Sequence, residues 1–361
     1  MNMDKHQVLV INPGSTSTKV GVFIGEECIY EGTVRHSTEE LSKYSSVVAQ
    51  APMRMELIKK ILKEQNIDLA CMDAFIGRGG VVRPMKSGTY TVNDKLLYDL
   101  ENLPTALSHA SCLGGIFARE LGDEYGKPSF IADPVVVDER EEVAKVTGLP
   151  GVERSCVFHC LNQKACARRY AKEQGKRYDE VNVIVAHMGG GITVGAHRKG
   201  VIIDVNDGLH GEGPYSPERV GGLIVKTVLD LLSSGKYTVE EMYKICSKGG
   251  GFVAHFGTNS SMDIEKRAAA GDEQAQLVFY GMCYNVAKTI GQMATVLKGD
   301  VDAIILTGGQ AYSKDLCNYI KDMVGFIAPV VIYPGEDELQ ALAASAIRVL
   351  DGEEEAKEYL G

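Results

Sequence analysis

Short apolar runs rich in β-branched residues alternate along this chain with longer stretches whose apolar residues recur every three or four positions. These are the patterns of buried strands and amphipathic helices. Residues 8–11 and 20–24 are two such runs, and Asn12-Pro13-Gly14 between them is a turn signal. The pair predicts a hairpin whose tip carries Asn12, Gly14, Ser15, Thr16, Ser17, Thr18 and Lys19. Further on, the pattern predicts a strand over 28–34 and a helix over 45–65 on Val48, Met55, Ile58, Ile61 and Leu62. It then predicts a buried strand over 71–77 that ends in Gly77-Arg78-Gly79-Gly80. Asn93 caps a short helix to Leu100, and Ser108-His109-Ala110-Ser111 opens another to about Leu121. A strand over 128–132 runs into Asp133-Pro134, and His159 stands just before a helix over 160–174.

The strand–turn–strand–turn–strand rhythm of the first residues returns from Val181. There an apolar run leads into His187-Met188-Gly189-Gly190-Gly191, a second strand, a turn and a third strand over 200–205. Two such units separated by helices predict a duplicated α/β domain with a small-residue tip in each copy. The remainder alternates helices (217–232, 239–246, from Ser260, and 272–298) with strands over 302–306 and 327–332. The first of those strands ends in Thr307-Gly308-Gly309-Gln310, and the second precedes Glu336-Asp337-Glu338 and a final helix to Leu350. No long linker or low-complexity segment interrupts the chain.

Composition narrows the classes. The chain has 361 residues, 45% hydrophobic and 24% charged, with room for about two domains. A net charge of −10 leaves no large basic field for nucleic acid or an anionic membrane, so an anionic substrate must be held by a few local cations. No apolar run approaches the roughly 18 residues of a membrane span, and the first residues lack the apolar core of a signal peptide. The nine cysteines show no C-x-x-C pair or zinc spacing, as expected of reduced cytoplasmic thiols.

The first hairpin tip is the strongest chemical signal. Four hydroxyls and a lysine in a row, with backbone N–H groups free of helix or sheet, make a suitable lining for phosphate. The sequence is not a P-loop, since no G-x-x-x-x-G-K-[ST] occurs and a strand follows the turn.

At this point the motifs resemble a family. The segment Asn12-Pro-Gly14-Ser15-Thr-Ser17-Thr-Lys19 is similar to the N-x-G-S-x-S-x-K opening of the acetate and butyrate kinases. Val157-Phe158-His159-Cys160, His187-Met-Gly189-Gly190-Gly191, Ser216-Pro-Glu218-Arg219-Val-Gly221 and Thr307-Gly308-Gly309-Gln310-Ala311 resemble that family's further blocks, in its order. Gly77-Arg78-Gly79-Gly80-Val-Val-Arg83-Pro84 and Gly213-Pro-Tyr215-Ser-Pro-Glu-Arg219 read as the butyrate branch.

The resemblance implies two actin-like (ribonuclease H-like) ATPase domains, 1–155 with 336–361 and 156–335, and an ATP cleft between them. It implies transfer of the γ-phosphoryl of ATP to a carboxylate, with Mg²⁺, in a cytoplasmic homo-oligomer. By resemblance Arg78 and Arg219 clamp carboxylate and phosphoryl group, with Arg83 as the fallback for Arg78. His159 donates to the phosphoryl oxygens. His109, just before its helix, does likewise or is structural, and His187 serves the second phosphate loop or is a core histidine. Thr307 to Gln310 receive adenosine. Asp133 steers the metal through water, and Asp337 with neighbours Glu336 and Glu338 supplies the second metal contact. Gly190 departs from the family's Asn and removes one amide donor. Gly80 and Ser108 replace larger family residues and open space for a longer acid, walled by Phe158. Two more methylenes than acetate are worth at most roughly 1.6 kcal/mol on burial. A sugar kinase of the same fold would need an aspartate base, for which Asp133 is available, but would leave two arginines and a histidine without a task. A nucleotide switch would lack the cationic set altogether.

Overall fold

The computed structural model describes residues 5–104 and 109–361. The chain divides into two compact units, Met1–Asp138 with Asp337–Gly361, and Glu139–Glu336.

In the first unit β1 (Gln7–Pro13), β2 (Ser17–Ile24) and β3 (Glu27–Arg35) form an antiparallel meander. Next to β1 lie β4 (Ala74–Arg78) and β6 (Ser129–Ala132), both parallel to it. The edge strand β5 (Thr89–Thr91) is antiparallel to β6, giving the order β3-β2-β1-β4-β6-β5. A buried cluster from Leu9 and Ile11 through Ile58, Phe75 and Phe117 to Ile131 packs helices Ala51–Glu64 and Cys112–Tyr125 onto this sheet.

The second unit repeats the arrangement. Here β7 (Asn182–Met188), β8 (Ile192–Arg198) and β9 (Val201–Val205) form the meander, and β10 (Ala303–Gly308) and β11 (Val330–Pro334) run parallel to β7. The order β11-β10-β7-β8-β9 matches the first sheet without its edge strand. Helix Glu273–Val296 buries a broad face, including Phe279, Met282, Val286 and Ile290, against it. Residues 139–155 are tied to this unit by Glu141 N–H to Ile203 O (3.0 Å) and by Arg154 to Asp204 (2.9 Å).

Several predicted elements shift. The first hairpin is tighter than its sequence implied: β2 begins at Ser17, so Lys19 lies inside the strand opposite Asn12, and only 14–16 form the tip. The helix expected from 45 begins at Ala51, with Pro52 in its first turn where a missing N–H does no harm. The one expected from Ser108 begins at Cys112, after the Nδ1 of His109 has accepted the Ser111 N–H. The helix expected over 217–232 exists only as Val225–Ser233. Gly221 has φ of +64° with neighbouring backbone against its Cα, so Arg219 sits in irregular chain. Helix Lys314–Val324, capped by Ser313, was not expected; its buried Leu316, Ile320 and Val324 mark one face.

Candidate active site

The tip of the first hairpin is braced from behind. Arg54 is 1% exposed and donates to Gly14 O and Ser15 O, both at 2.8 Å, and to Gln50 Oε1 at 2.8 Å. Gly14 N–H closes the turn on Ser17 O at 2.7 Å. Across a trans peptide the C=O and the following N–H point in opposite directions. Carbonyls pulled toward Arg54 therefore turn the N–H groups of Ser15 and Thr16 away from the protein. Neither N–H has an acceptor among the described residues. The result is a small anion-binding concavity.

Beside it, Asn12 Nδ2 donates to Glu338 Oε2 at 2.6 Å. Arg78, at the end of β4, holds the same carboxylate through both guanidinium nitrogens, each at 3.1 Å. Asp133 follows β6 at φ +40°, a left-handed conformation uncommon for a residue other than glycine. Its Oδ1 accepts from Ser87 Oγ (2.6 Å) and Gly88 N–H (2.9 Å), which leaves Oδ2 without a partner among the described residues. Arg83 does not join this group: it pairs with the buried Asp99 at 3.0 Å, which also binds Tyr359 OH at 2.7 Å. The space predicted at Gly80 is filled. A Cβ there would collide with Cys112 and with Leu100 Cδ2 at 2.7 Å, both in the core. Ser108 lies outside the described residues. His109 is exposed, with Nδ1 2.6 Å from Ser111 Oγ.

In the second unit the loop 189–191 is held by side chains instead of one guanidinium. Gln310 Nε2 donates to Gly189 O at 2.6 Å. Gly190 O accepts from Ser216 Oγ at 2.6 Å and from Glu218 N–H at 3.4 Å. The N–H groups of Gly190 and Gly191 are again left pointing outward, without acceptors among the described residues. Arg219 donates through Nη1 to Gly208 O, and its guanidinium lies so close to Gly191 that any Cβ there would strike it. Burial draws Arg219 down from its ordinary range, partly offset by Glu218 and Asp207, and its buried Nε has no hydrogen-bond partner among the described residues. Asp207 is 1% exposed. Desolvation would raise its carboxyl, but hydrogen bonds from His210 and from the Leu209 and His210 N–H groups hold it at about 2.

His159 stacks on His187 with ring centroids 3.8 Å apart and planes 11° from parallel. Its Nδ1 lies 2.9 Å from Thr193 Oγ1. His187 Nδ1 donates to Asn162 Oδ1 at 2.8 Å, and its Nε2 is 3.1 Å from Glu336 Oε1 but out of line for a hydrogen bond. Phe158 beside them is buried.

Comparison with known proteins completes this picture. A model described as the Acetokinase family matches residues 146–320. Butyrate kinase 1 of Clostridium acetobutylicum is 51% identical over 98% of this chain and 99% of its own length. The chain belongs to the acetokinase family. It is an enzyme, a carboxylate kinase. The acetate kinase of Porphyromonas gingivalis superposes with a TM-score of 0.77 over 96% of this chain and all of that one, at 18% identity. A propionate kinase from Francisella tularensis subsp. tularensis gives 0.71 over 94% and 98%, also at 18% identity. These likenesses show the fold, the actin-like ATPase fold that the sequence resemblance implied.

For this carboxylate kinase the three consecutive acids part company. Glu336 lies against His187, Glu338 holds Asn12 and Arg78, and Asp337 is exposed with no ion pair or hydrogen bond from its carboxylate among the described residues. No group of three or more His, Cys, Asp or Glu side chains that could hold a metal ion occurs among the described residues. Such a donor set suits Mg²⁺ carried in on nucleotide phosphates and touched by one or two carboxylates.

Sequence reasoning missed Arg54, Gln163 and Thr193. Arg54 had a signal: it stands four residues before Ile58 and eight before Leu62, on the buried face of its helix. A charge in an apolar stripe is buried for a reason.

Proposed function

We propose that this carboxylate kinase transfers the γ-phosphoryl of ATP reversibly to butyrate or a similar short-chain fatty acid, giving butanoyl phosphate and ADP. The observation that carries the choice of acid is 51% identity, end to end, with a protein named a butyrate kinase. A carboxylate is ionised at neutral pH, so no general base is required. The site has to align the reactants and neutralise charge on the transferring group. The outward N–H groups of Ser15 and Thr16, and of Gly190 and Gly191, suit nucleotide phosphates. In this reading Ser17 and Lys19 flank the first loop, and Thr307 to Gln310 receive adenosine. Arg219 and Arg78 supply the cations, Arg78 after exchanging Glu338 for an anionic substrate. His159 donates a hydrogen bond to a phosphoryl oxygen. Asp133, through Oδ2, and Asp337 would hold Mg²⁺, which would supply charge neutralisation for the nucleotide phosphates. The nine free thiols accord with a cytoplasmic setting. The reading includes a homo-oligomer, as the sequence resemblance implied.

The test is hydroxylamine trapping with ATP, Mg²⁺ and a series of acids. Hydroxamate should form with straight and branched C4 acids more readily than with propionate or acetate. Trapping only with acetate would overturn the choice of acid. A product formed only with sugars would overturn the reaction itself.

A further inference from the structure

Behind His159 lies a buried chain of polar side chains that the transfer reaction does not touch. Tyr178 OH is 2.8 Å from His197 Nδ1, and His197 Nε2 is 3.1 Å from Gln163 Oε1. Gln163 Nε2 reaches Thr193 O at 3.2 Å and Thr193 Oγ1 at 2.9 Å. Thr193 Oγ1 is 2.9 Å from His159 Nδ1. Gln163, Thr193 and His197 are completely buried. An unpaired polar atom is costly in such a place, so each hydrogen must have an acceptor.

That requirement gives the chain a direction. A carbonyl only accepts, so the Gln163 NH₂ must face Thr193 O, which turns Oε1 toward His197. His197 Nε2 must then carry the proton. Burial, and after it the charge of Lys164, lowers His197 well below the ordinary histidine range, so the ring is neutral and Nδ1 accepts from Tyr178 OH. At the other end Thr193 Oγ1 accepts from Gln163 Nε2. Its own hydrogen has one acceptor within reach among the described residues, His159 Nδ1.

We propose that Thr193 and Gln163 are positioning residues that hold His159 as the tautomer with a bare Nδ1 and a proton on Nε2, the nitrogen offered to the phosphoryl group. The assignment rests on the phosphoryl-transfer reading for its purpose, but not for its geometry. Local architecture serves it. Thr193, Gly195 and His197 alternate along one face of β8, and a Cβ at Gly195 would strike Gln163 Oε1. Gln163 stands one helical turn after His159, so one helix start fixes both ends of the link.

The experiment is two-bond proton–nitrogen correlation NMR on the full-length protein labelled with ¹⁵N-histidine, His159 being assigned by the signals lost in His159→Gln. The expected result is a pyridine-type Nδ1 and a pyrrole-type Nε2. Thr193→Val keeps the shape and leaves Gln163 bonded to the backbone. It should move His159 to a mixture of tautomers and lower kcat at least about tenfold, with KM for ATP within about twofold. Thr193→Ser should restore both the signature and the rate. Gly195→Ala, which displaces Gln163, should disturb the same signals and serves if Thr193→Val fails to fold. A pyrrole-type Nδ1 in the wild type, or an unchanged tautomer in Thr193→Val, would overturn the proposal. The expected signature in a protein inert toward every acid would support the tautomer and overturn the functional reading alone.

Discussion

The two units build one loop in two ways. After β1 and after β7 the chain turns in three residues, 14–16 and 189–191, before the next strand begins. In each loop the first two carbonyls are drawn back and the N–H groups of the second and third residues are left outward. In the first unit one buried guanidinium, Arg54, draws both carbonyls. In the second the work is divided among Gln310, Ser216 and the Glu218 N–H. The residues at the tips differ accordingly: Gly-Ser-Thr in one, three glycines in the other. Gly191 has to be glycine because the Arg219 guanidinium lies against it, whereas a Cβ at Gly14 in the first loop would meet only Ser17. An anion-binding turn is thus specified by what restrains its carbonyls, and tip composition follows from what else must fit beside it.

The sharpest way to break this comparison is at the crowded loop. Arg219→Ala and Gly191→Ala should each lower kcat by about 10²–10³-fold with KM for ATP changing far less, because the lost charge acts mainly on the transition state. Near-normal turnover in both would remove Arg219 from the chemistry. In the first loop Gly14→Ala, at the position that Gly189 holds in the second, meets only Ser17 at 3.4 Å and should change kcat by less than about threefold.

Next in size is the brace of the first loop. Arg54→Met leaves the buried Gln50 Oε1, at about 1–3 kcal/mol, and two half-buried loop carbonyls without their donor, so urea denaturation should show a loss of a few kcal/mol and KM for ATP should rise. Gln310→Ala exposes only Gly189 O, since Ser216 and Glu218 still hold Gly190, and should cost about 1 kcal/mol by the same measurement. Equal losses would mean that the second loop is not braced by shared effort.

The smallest effect is on pH. Asp207 is held at about 2 in the fold, below its ordinary range, so its stabilisation is present above about pH 4 and lost as pH falls toward 2. His210 is raised by the same hydrogen bond, so its share is full below about pH 6.5 and fades as pH rises through its elevated folded value. The Tm difference between wild type and His210→Gln should therefore shrink between pH 6 and 8. A constant or growing difference would separate His210 from Asp207.

The duplicated meander was legible in the sequence because apolar alternation with small-residue turns is a local property. So was the cap at Asn93, whose side chain accepts the Leu96 N–H at the start of its helix. The irregular path around Arg219 was not legible. Pro217 to Leu232 carries enough apolar residues to read as a helix, but Gly221 turns at φ +64° with the backbone of Gly213 to Tyr215 packed against it. The space imagined at Gly80 failed for a related reason, since a small residue marks room only if no other group has taken it, and Cys112 and Leu100 have.

By itself the sequence determined the strands, most helices and the two tips with their donors, since spacing and turn chemistry act over a few residues. Only the tertiary structure decided which charges are engaged. Arg83 and Arg78 are alike on paper, but Arg83 is committed to Asp99 and Arg78 to Glu338. Nor could the sequence show that Arg54 lies 2.8 Å from two loop carbonyls forty and thirty-nine residues away, or that Gln163 and Thr193 meet behind His159. Hydrogen bonds depend on distance and direction in space, and pairs so far apart in the chain acquire both only when the sheet and its helices have packed.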